Sequence, residues 1–404
     1  MTDIHYIPRP LYMTRVRPFI DQQLIKVFVG QRRVGKSYVM HQVADDIKQS
    51  VPHANIIYID KERLEFSVIT NEHTLYQYVC DHLQGDRNYL FIDEVQDIDH
   101  FQLALRSLLN ERKCDIYCSG SNARILSGEL ATYLSGRNVS IHIHALNFTE
   151  FLTFYQLEPT RESLRLFLSI GGMPYLVNLP AGRDIAFEYL RNVYSTILLK
   201  DVVAHHSIRD VTFLENLCRF LADNVGSLFS VKNISDYLKS QHINKPVTTI
   251  QSYLQAMADA FLIYKVQRAD VQGLRIFEIG EKYYFEDSGI RSALRNTDMQ
   301  ADINKQMENV VYHELLCRGY QVYVGRQQDK EIDFVALRNE ERIYVQVAYL
   351  LNSENTIKRE FGNLSSIPDN YPKYVVSMDD YPVTSSYPGI RQMHLLDFLT
   401  SSRL

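Results

Sequence analysis

Gly30-Gln31-Arg32-Arg33-Val34-Gly35-Lys36-Ser37 carries the spacing G-x-x-x-x-G-K-S, a pattern suited to wrapping a chain of phosphates. Its glycines let the loop curl until successive backbone N–H groups face one anion, and the first turn of a following helix adds unpaired donors and a positive dipole end. In that arrangement the Lys36 ammonium neutralises β- and γ-phosphates, and the Ser37 hydroxyl is a ligand for Mg²⁺. Gln31, Arg32, Arg33, Val34 and the adjoining Tyr38 complete the expected ATP-binding segment.

A second apolar run, Tyr89-Leu90-Phe91-Ile92, ends in Asp93-Glu94. Two carboxylates at a strand end have separable tasks beside a phosphate loop: Asp93 holds the Mg²⁺ shell, and Glu94 orients and polarises the attacking water. Ile116-Tyr117-Cys118 runs into Ser119-Gly120-Ser121-Asn122, a cluster of small hydrogen-bonding groups at a position where ligands of open α/β sheets bind. Ser119 and Asn122 are therefore candidates to contact the γ-phosphate or the lytic water, with a plain turn as the competing reading. Arg137 is a candidate cation for transition-state charge, within the chain or across a subunit boundary.

Elements of a definite kind must position these groups. Ile25–Val29 reads as a strand, and the residues after Ser37 carry apolar side chains at helical intervals. Strand-like runs at Asn55–Asp60, Tyr89–Asp93, Asp115–Ser119 and Val139–His144 follow, separated by helix-length segments. Alternation of near-continuous apolar strands with helices implies an α/β fold, a parallel sheet with helices on both faces.

The chain is long enough for several domains: it has 404 residues, 46% of them hydrophobic and 23% charged, which excludes wholesale disorder. No secretory apolar core opens it, and no run of about 18 apolar residues crosses a bilayer, so a cytoplasmic protein without a membrane partner is expected. Five scattered cysteines without a CxxC pair suggest neither a disulfide framework nor a zinc knuckle. A net charge of -5 argues against a generally basic surface, leaving nucleic-acid binding to local sites.

Past Phe148 the pattern becomes helical, broken by Gly171-Gly172-Met173-Pro174. Helices at Val231–Gln241 and Val247–Ala260 precede strands at Leu262–Gln267 and Lys282–Phe285, the layout of a winged helix. Its cations Lys232, Lys239, Lys245, Arg268 and Arg275 are nearly balanced by acids, so DNA contact and a structural role both stand. From about Ala301 a helix and four short strands read as a third, small α/β domain.

Gly-Gln-Arg-Arg-Val-Gly-Lys-Ser, Phe-Ile-Asp-Glu-Val-Gln, Ser-Gly-Ser-Asn, Leu-Ser-Gly-Arg and Gly-Gly-Met-Pro-Tyr occur in that order. Together they resemble the AAA+ superfamily ATPases of bacteria and archaea that usually carry a C-terminal domain of unknown function. The resemblance spans nearly the whole chain and implies a winged helix followed by a PD-(D/E)XK nuclease-like domain. Such nuclease sites use a helix glutamate, a strand aspartate and an acid-x-lysine, the acids holding a divalent metal. Glu308 or Glu314 is the candidate for the first and Asp333 for the second. At the third, Gln346 and Ala348 replace the acid and the lysine, so loss of cleavage is expected.

The expected organisation is an ATPase domain over 1–160, a helical lid or linker over 161–210, a winged helix over 211–300 and a degenerate nuclease-like domain over 301–404. The expected function is Mg²⁺-dependent ATP hydrolysis driving a conformational switch, coupled to DNA, to a protein partner or to further copies of the chain. A nucleotide-gated scaffold with negligible turnover is the alternative, followed by an ATP-regulated nuclease.

Overall fold

The computed structural model describes residues 6–123, 136–206, 208–241, 243–271, 273–274, 276–295, 302–383 and 386–404. Arg275 and the first two residues of the Leu-Ser-Gly-Arg motif lie outside them. The described chain divides into two compact units, 1–144 with 259–261, and 145–258 with 262–404. The first division falls ahead of the boundary expected at 160.

The first unit runs α1 (Pro10–Val16), β1 (Ile25–Val29), α2 (Lys36–Ser50), β2 (Asn55–Asp60), α3 (Glu72–Asp81), β3 (Asn88–Asp93), α4 (Phe101–Asn110), β4 (Asp115–Gly120) and β5 (Asn138–His142). All strand pairs are parallel, in the order β2-β3-β4-β1-β5. Every residue of β1 and β3 is buried, which is why their sequences are largely apolar instead of alternating, with Lys26, Asn88 and Asp93 as the polar exceptions. One face stacks Ile25, Val27, Val29, Leu90, Ile92, Ile116 and Cys118 into a single core with α3 and α4.

The other face carries a ladder set by register. Tyr58 pairs with Phe91, Phe91 with Tyr117 and Tyr117 with Lys26 across four neighbouring strands. The rings stack at 5.8 Å and 4.5 Å between centroids, His41 of α2 caps the row at 4.4 Å, and the Lys26 ammonium lies 4.8 Å from the Tyr117 ring centre. Lys26 is fully buried and ion-paired with Asp115. Two of the chain's tyrosines, Tyr58 and Tyr117, therefore serve as the polar-tipped filling of a sheet face.

The second unit begins with α5 (Phe148–Tyr155), α6 (Arg161–Ile170) and α7 (Arg183–Thr196). It continues with α8 (Val211–Asp223), α9 (Val231–Ser240), α10 (Val247–Asp259), β6 (Ile263–Asp270), β7 (Ile276–Phe285) and α11 (Ser288–Arg295). It closes with α12 (Ile303–Cys317), β8 (Gln321–Gln327), β9 (Lys330–Arg338), β10 (Glu341–Val347), α13 (Glu354–Ser365), β11 (Lys373–Ser377), β12 (Ile390–His394) and α14 (Leu395–Thr400). One mixed sheet, β12-β11-β10-β9-β8-β6-β7, runs across the boundary expected at 300, because the β6–β7 hairpin pairs in parallel with β8. Phe229, ahead of α9, makes an antiparallel bridge to Glu281 of the hairpin.

The Gly-Gly-Met-Pro motif is a packing node of this unit. The Asp287 carboxylate accepts from Gly172 N and Ile290 N, both at 2.7 Å, tying the end of α6 to the start of α11. A Cβ on Gly172 would stand 2.1 Å from Leu146 O. Gly172→Ala is accordingly expected to lower unfolding stability by about 1–3 kcal/mol, the usual cost of overpacking. Denaturant titration of the two chains measures it.

Candidate functional site

The strand order decides where the chemistry gathers. β4 stands between β1, which feeds the glycine loop, and β3, which ends in the acids. At roughly 4.8 Å per strand, Asp93 is about 10 Å sideways from the end of β1, with the end of β4 filling the gap. Ser119 occupies that gap: its hydroxyl donates to Asp93 Oδ1 in a very short bond and accepts from Glu94 N at 3.0 Å. Asn122, two residues beyond β4, is buried at the same edge.

The loop has the backbone that its glycines permit. Gly30 has φ +152°, and a Cβ there would lie 2.1 Å from Ile143 O. Gly35 adopts φ +97° immediately before α2. Arg33 also takes positive φ, at +72°, and is exposed, as is Tyr38. Lys36 is buried, its ammonium donating to Gly30 O at 3.0 Å and Gln31 O at 3.1 Å within the loop. Both side-chain polar atoms of the fully buried Gln31 lack a hydrogen-bond partner.

Electrostatics separate the two acids. Burial pushes the Asp93 carboxyl up to about 6, against hydrogen bonds from Ser119 and Ser37. Burial also opposes ionisation of Glu94, but the Lys36 and Arg32 cations hold it below the ordinary glutamate value. The Glu94 backbone is left-handed, with φ +55°, which turns its carboxylate away from the strand line. Gln96 Nε2 donates to Oε2 of that carboxylate in a short bond, and Ser121 Oγ reaches the same oxygen at 3.3 Å. Gln96 and Ser121 lie inside the Phe-Ile-Asp-Glu-Val-Gln and Ser-Gly-Ser-Asn motifs, although neither is among the candidate site residues. Arg32 pairs with Glu62 at 3.3 Å.

Arg137 departs from expectation. It immediately precedes β5, where Ile25 N donates to its carbonyl, and its side chain is exposed and bonded to Asn110 Oδ1 at 2.6 Å. Five parallel strand residues, about 16 Å, separate that edge from the glycine loop, so Arg137 does not act on the phosphate site of its own chain.

A residue missed in sequence is Arg9. Its guanidinium is buried and donates to Val34 O of the loop at 2.8 Å and to His144 O at 3.0 Å, while Arg9 N donates to Gln42 Oε1. Nothing in the spacing signals a long-range contact from before α1. Arg9→Met leaves the Val34 carbonyl without this donor and frees the loop, so ATP affinity is expected to fall about tenfold, the effect of one lost buried hydrogen bond. Titration with a fluorescent ATP analogue measures it.

In the second unit, Glu308 of α12 and Asp333 of β9 come together, with Lys282 of β7 between them. Glu314 does not join them; it is buried on another side of α12, paired with Arg318 at 2.7 Å. Gln346 is committed on both ends, its Oε1 accepting from Asp333 N and its Nε2 donating to Glu360 Oε2, each at 2.6 Å. Ala348 packs in a core with Leu351, Phe361 and Val375. Of the cations expected over 211–300, Lys245 pairs with Asp210 at 2.5 Å and Lys239 with Asp236 at 3.6 Å, whereas Lys232 is exposed. No helix among the described residues is long and apolar enough to cross a membrane.

Residues 22–152 match the family described as an AAA domain, and residues 161–301 match a domain of unknown function, DUF8612. An uncharacterised protein of Haemophilus influenzae is 34% identical over 400 residues, 97% of this chain and 98% of that one. Another, from Methanocaldococcus jannaschii, is 30% identical over 347 residues, 82% of this chain and 76% of its own length. Among solved structures, the Walker-type ATPase of Pyrococcus abyssi superposes with a TM-score of 0.51 at 14% identity, covering 72% of this chain and 96% of that one, a likeness of fold.

Proposed function

We propose that this chain, whose residues 22–152 match an AAA domain, is a cytoplasmic Mg²⁺-dependent P-loop ATPase whose turnover switches the second unit between binding states. The observation that carries this is the convergence of Lys36, Ser37, Asp93, Glu94 and Ser119 on one sheet edge, with β4 bridging loop and acids.

Loop N–H groups and Lys36 bind the phosphates once Lys36 exchanges its two carbonyl partners for phosphate oxygens. Ser37 and Asp93, already hydrogen-bonded to each other, offer the hard oxygen donors that Mg²⁺ prefers. When bound, Mg²⁺ neutralises charge on the β- and γ-phosphates. Glu94 keeps its carboxylate ionised and aligns water for in-line attack on the γ-phosphorus. The bond to the β-phosphate oxygen breaks, ADP leaves, and the water proton passes to Glu94 and on to phosphate. Ser119 fixes the Asp93 carboxylate and the Glu94 backbone together, so the two acids move as a unit.

The second unit supplies the coupling. Three helices followed by a hairpin, with the Phe229 bridge onto β7, support a winged helix over 211–285. The succession α12, β8, β9, β10, α13, β11 supports a nuclease-like fold over 302–404, and the commitment of Gln346 supports its inactivity. The winged helix is the proposed contact for DNA, with Lys232 and Lys239 as exposed cations. The placement of Arg137 favours a second reading, a nucleotide-gated scaffold whose transition-state cation comes from a partner or a further copy of the chain.

Steady-state phosphate release by the wild type, with and without double-stranded DNA, tests the proposal. Turnover stimulated by DNA is the expected result. ATP binding without turnover in either condition replaces the proposal with the scaffold reading.

A further inference from the structure

The carboxylates of Glu308, Glu331 and Asp333 converge on one atom, the ammonium nitrogen of Lys282. Its distances are 2.9 Å to Glu308 Oε1, 2.9 Å to Glu331 Oε1 and 3.5 Å to Asp333 Oδ1. Lys282 is about 1% exposed and Glu308 about 6%, while the Glu331 side chain keeps about 33% of its surface exposed, so the cluster is closed on the Glu308 side and opens toward solvent at Glu331. Tyr284 Oη also donates to Glu308 Oε1, at 2.6 Å. On the other side the backbone of Gly226, with φ +73°, closes on the same carboxylate: a Cβ there would stand 2.6 Å from Oε2. Asp333 Oδ2 is taken by Val347 N at 2.9 Å.

A divalent cation at this place would need at least two of these carboxylates as free oxygen donors, together with room for water. The first condition is not met, and beside Glu308 the second is not met either. Each carboxylate already faces a charge-bearing donor or a backbone N–H, Gln346 Oε1 accepts from Asp333 N, and Gly226 removes space beside Glu308.

We propose that the Lys282 ammonium permanently fills the position of a divalent metal, making this carboxylate cluster a metal-excluding ionic lock between β7, α12 and β9. The lysine arrives from the hairpin, 26 residues before Glu308 and 51 before Asp333, and not from the position just after β10, where Ala348 stands in place of the expected lysine. The proposal rests on the nuclease-like reading for the identity of the replaced metal. Its geometric basis, three carboxylates gathered around one buried ammonium, is independent of that reading.

The test counts Mn²⁺ bound by the full-length, nucleotide-free chain, using the electron paramagnetic resonance signal of free Mn²⁺. Any binding at Asp93 is common to all variants and cancels. Lys282→Met is expected to bind one Mn²⁺ more than wild type, and Lys282→Met with Asp333→Asn to lose it. Equal stoichiometry in wild type and folded Lys282→Met overturns the proposal. Should Lys282→Met fail to fold, Mn²⁺ soaked into wild-type crystals decides: anomalous density between Glu308 and Asp333 overturns the proposal, and its absence upholds it. Wild-type cleavage of plasmid DNA that Asp333→Asn abolishes overturns both the lock and the inactive-nuclease reading. Mn²⁺ in the wild-type cluster without cleavage overturns the lock alone.

Discussion

Glu94→Gln is expected to lower ATP turnover by roughly 10²- to 10⁴-fold, the range for removing a positioned general base, while leaving ATP bound at least as tightly. The amide keeps the shape of the side chain and can still meet Ser121 and Gln96, so the β3–β4 edge has no reason to rearrange. What it loses is the charge that Lys36 and Arg32 keep ionised in a buried setting. Without that charge the attacking water is neither polarised nor relieved of its proton. Removing a negative group from beside a polyphosphate also relieves repulsion, which is why affinity should hold or improve. Parallel measurement of turnover and ATP affinity separates this outcome from simple loss of the site, the expected result of Lys36→Ala.

Lys282→Met has the largest expected effect on stability, a loss of about 3–5 kcal/mol, as for other buried ion pairs from which one partner is removed. Methionine matches the lysine stem, so little of the loss comes from packing. Most comes from three carboxylates left facing one another without their cation. The pH dependence has a definite sign. Burial already raises the Asp333 carboxyl above the ordinary aspartate value, and Lys282 is the charge that most opposes this rise. In the variant the folded chain therefore holds a proton that the unfolded chain releases, and stability falls as pH increases through that window. The deficit relative to wild type should thus be smaller at pH 5 than at pH 8. Urea unfolding at the two pH values measures it, and an equal deficit at both would show that packing, not charge, is what the lysine supplies.

The candidate phosphate site was legible in the sequence because its chemistry is local. Gly30 to Ser37 form one contiguous loop, and Asp93-Glu94 end an apolar strand whose period betrays its burial. Ser119 was legible for the same reason, as a small polar residue at a strand end. Arg137 misled because a cation near a glycine gives no hint of which end of its strand it occupies; only the parallel pairing of β5 with β1 puts it at the far edge. Arg9 was silent, since its partner Val34 lies 25 residues away and the contact is to a backbone carbonyl.

In the second half, the helix and strand order was readable, but sheet continuity was not. Hydrophobic period shows that β6 and β8 are strands, not that they lie side by side in one sheet. The same limit hid Lys282. The substitution of Gln346 and Ala348 was visible, yet the lysine that meets Glu308 and Asp333 sits on a strand read as part of another domain. Between Glu308 and Glu314 sequence could not choose. Six residues turn an α-helix through about 240°, so only the packing of α12 determines which of the two meets Asp333.

The most direct test of the central claim is single-turnover hydrolysis of ATP labelled at the γ-phosphate, pre-bound to the purified chain with Mg²⁺. The ATPase account predicts release of labelled phosphate by the wild type and none on the same timescale by Glu94→Gln, with both chains loaded. Stable retention of intact ATP by both would contradict it and leave the chain a nucleotide-gated scaffold.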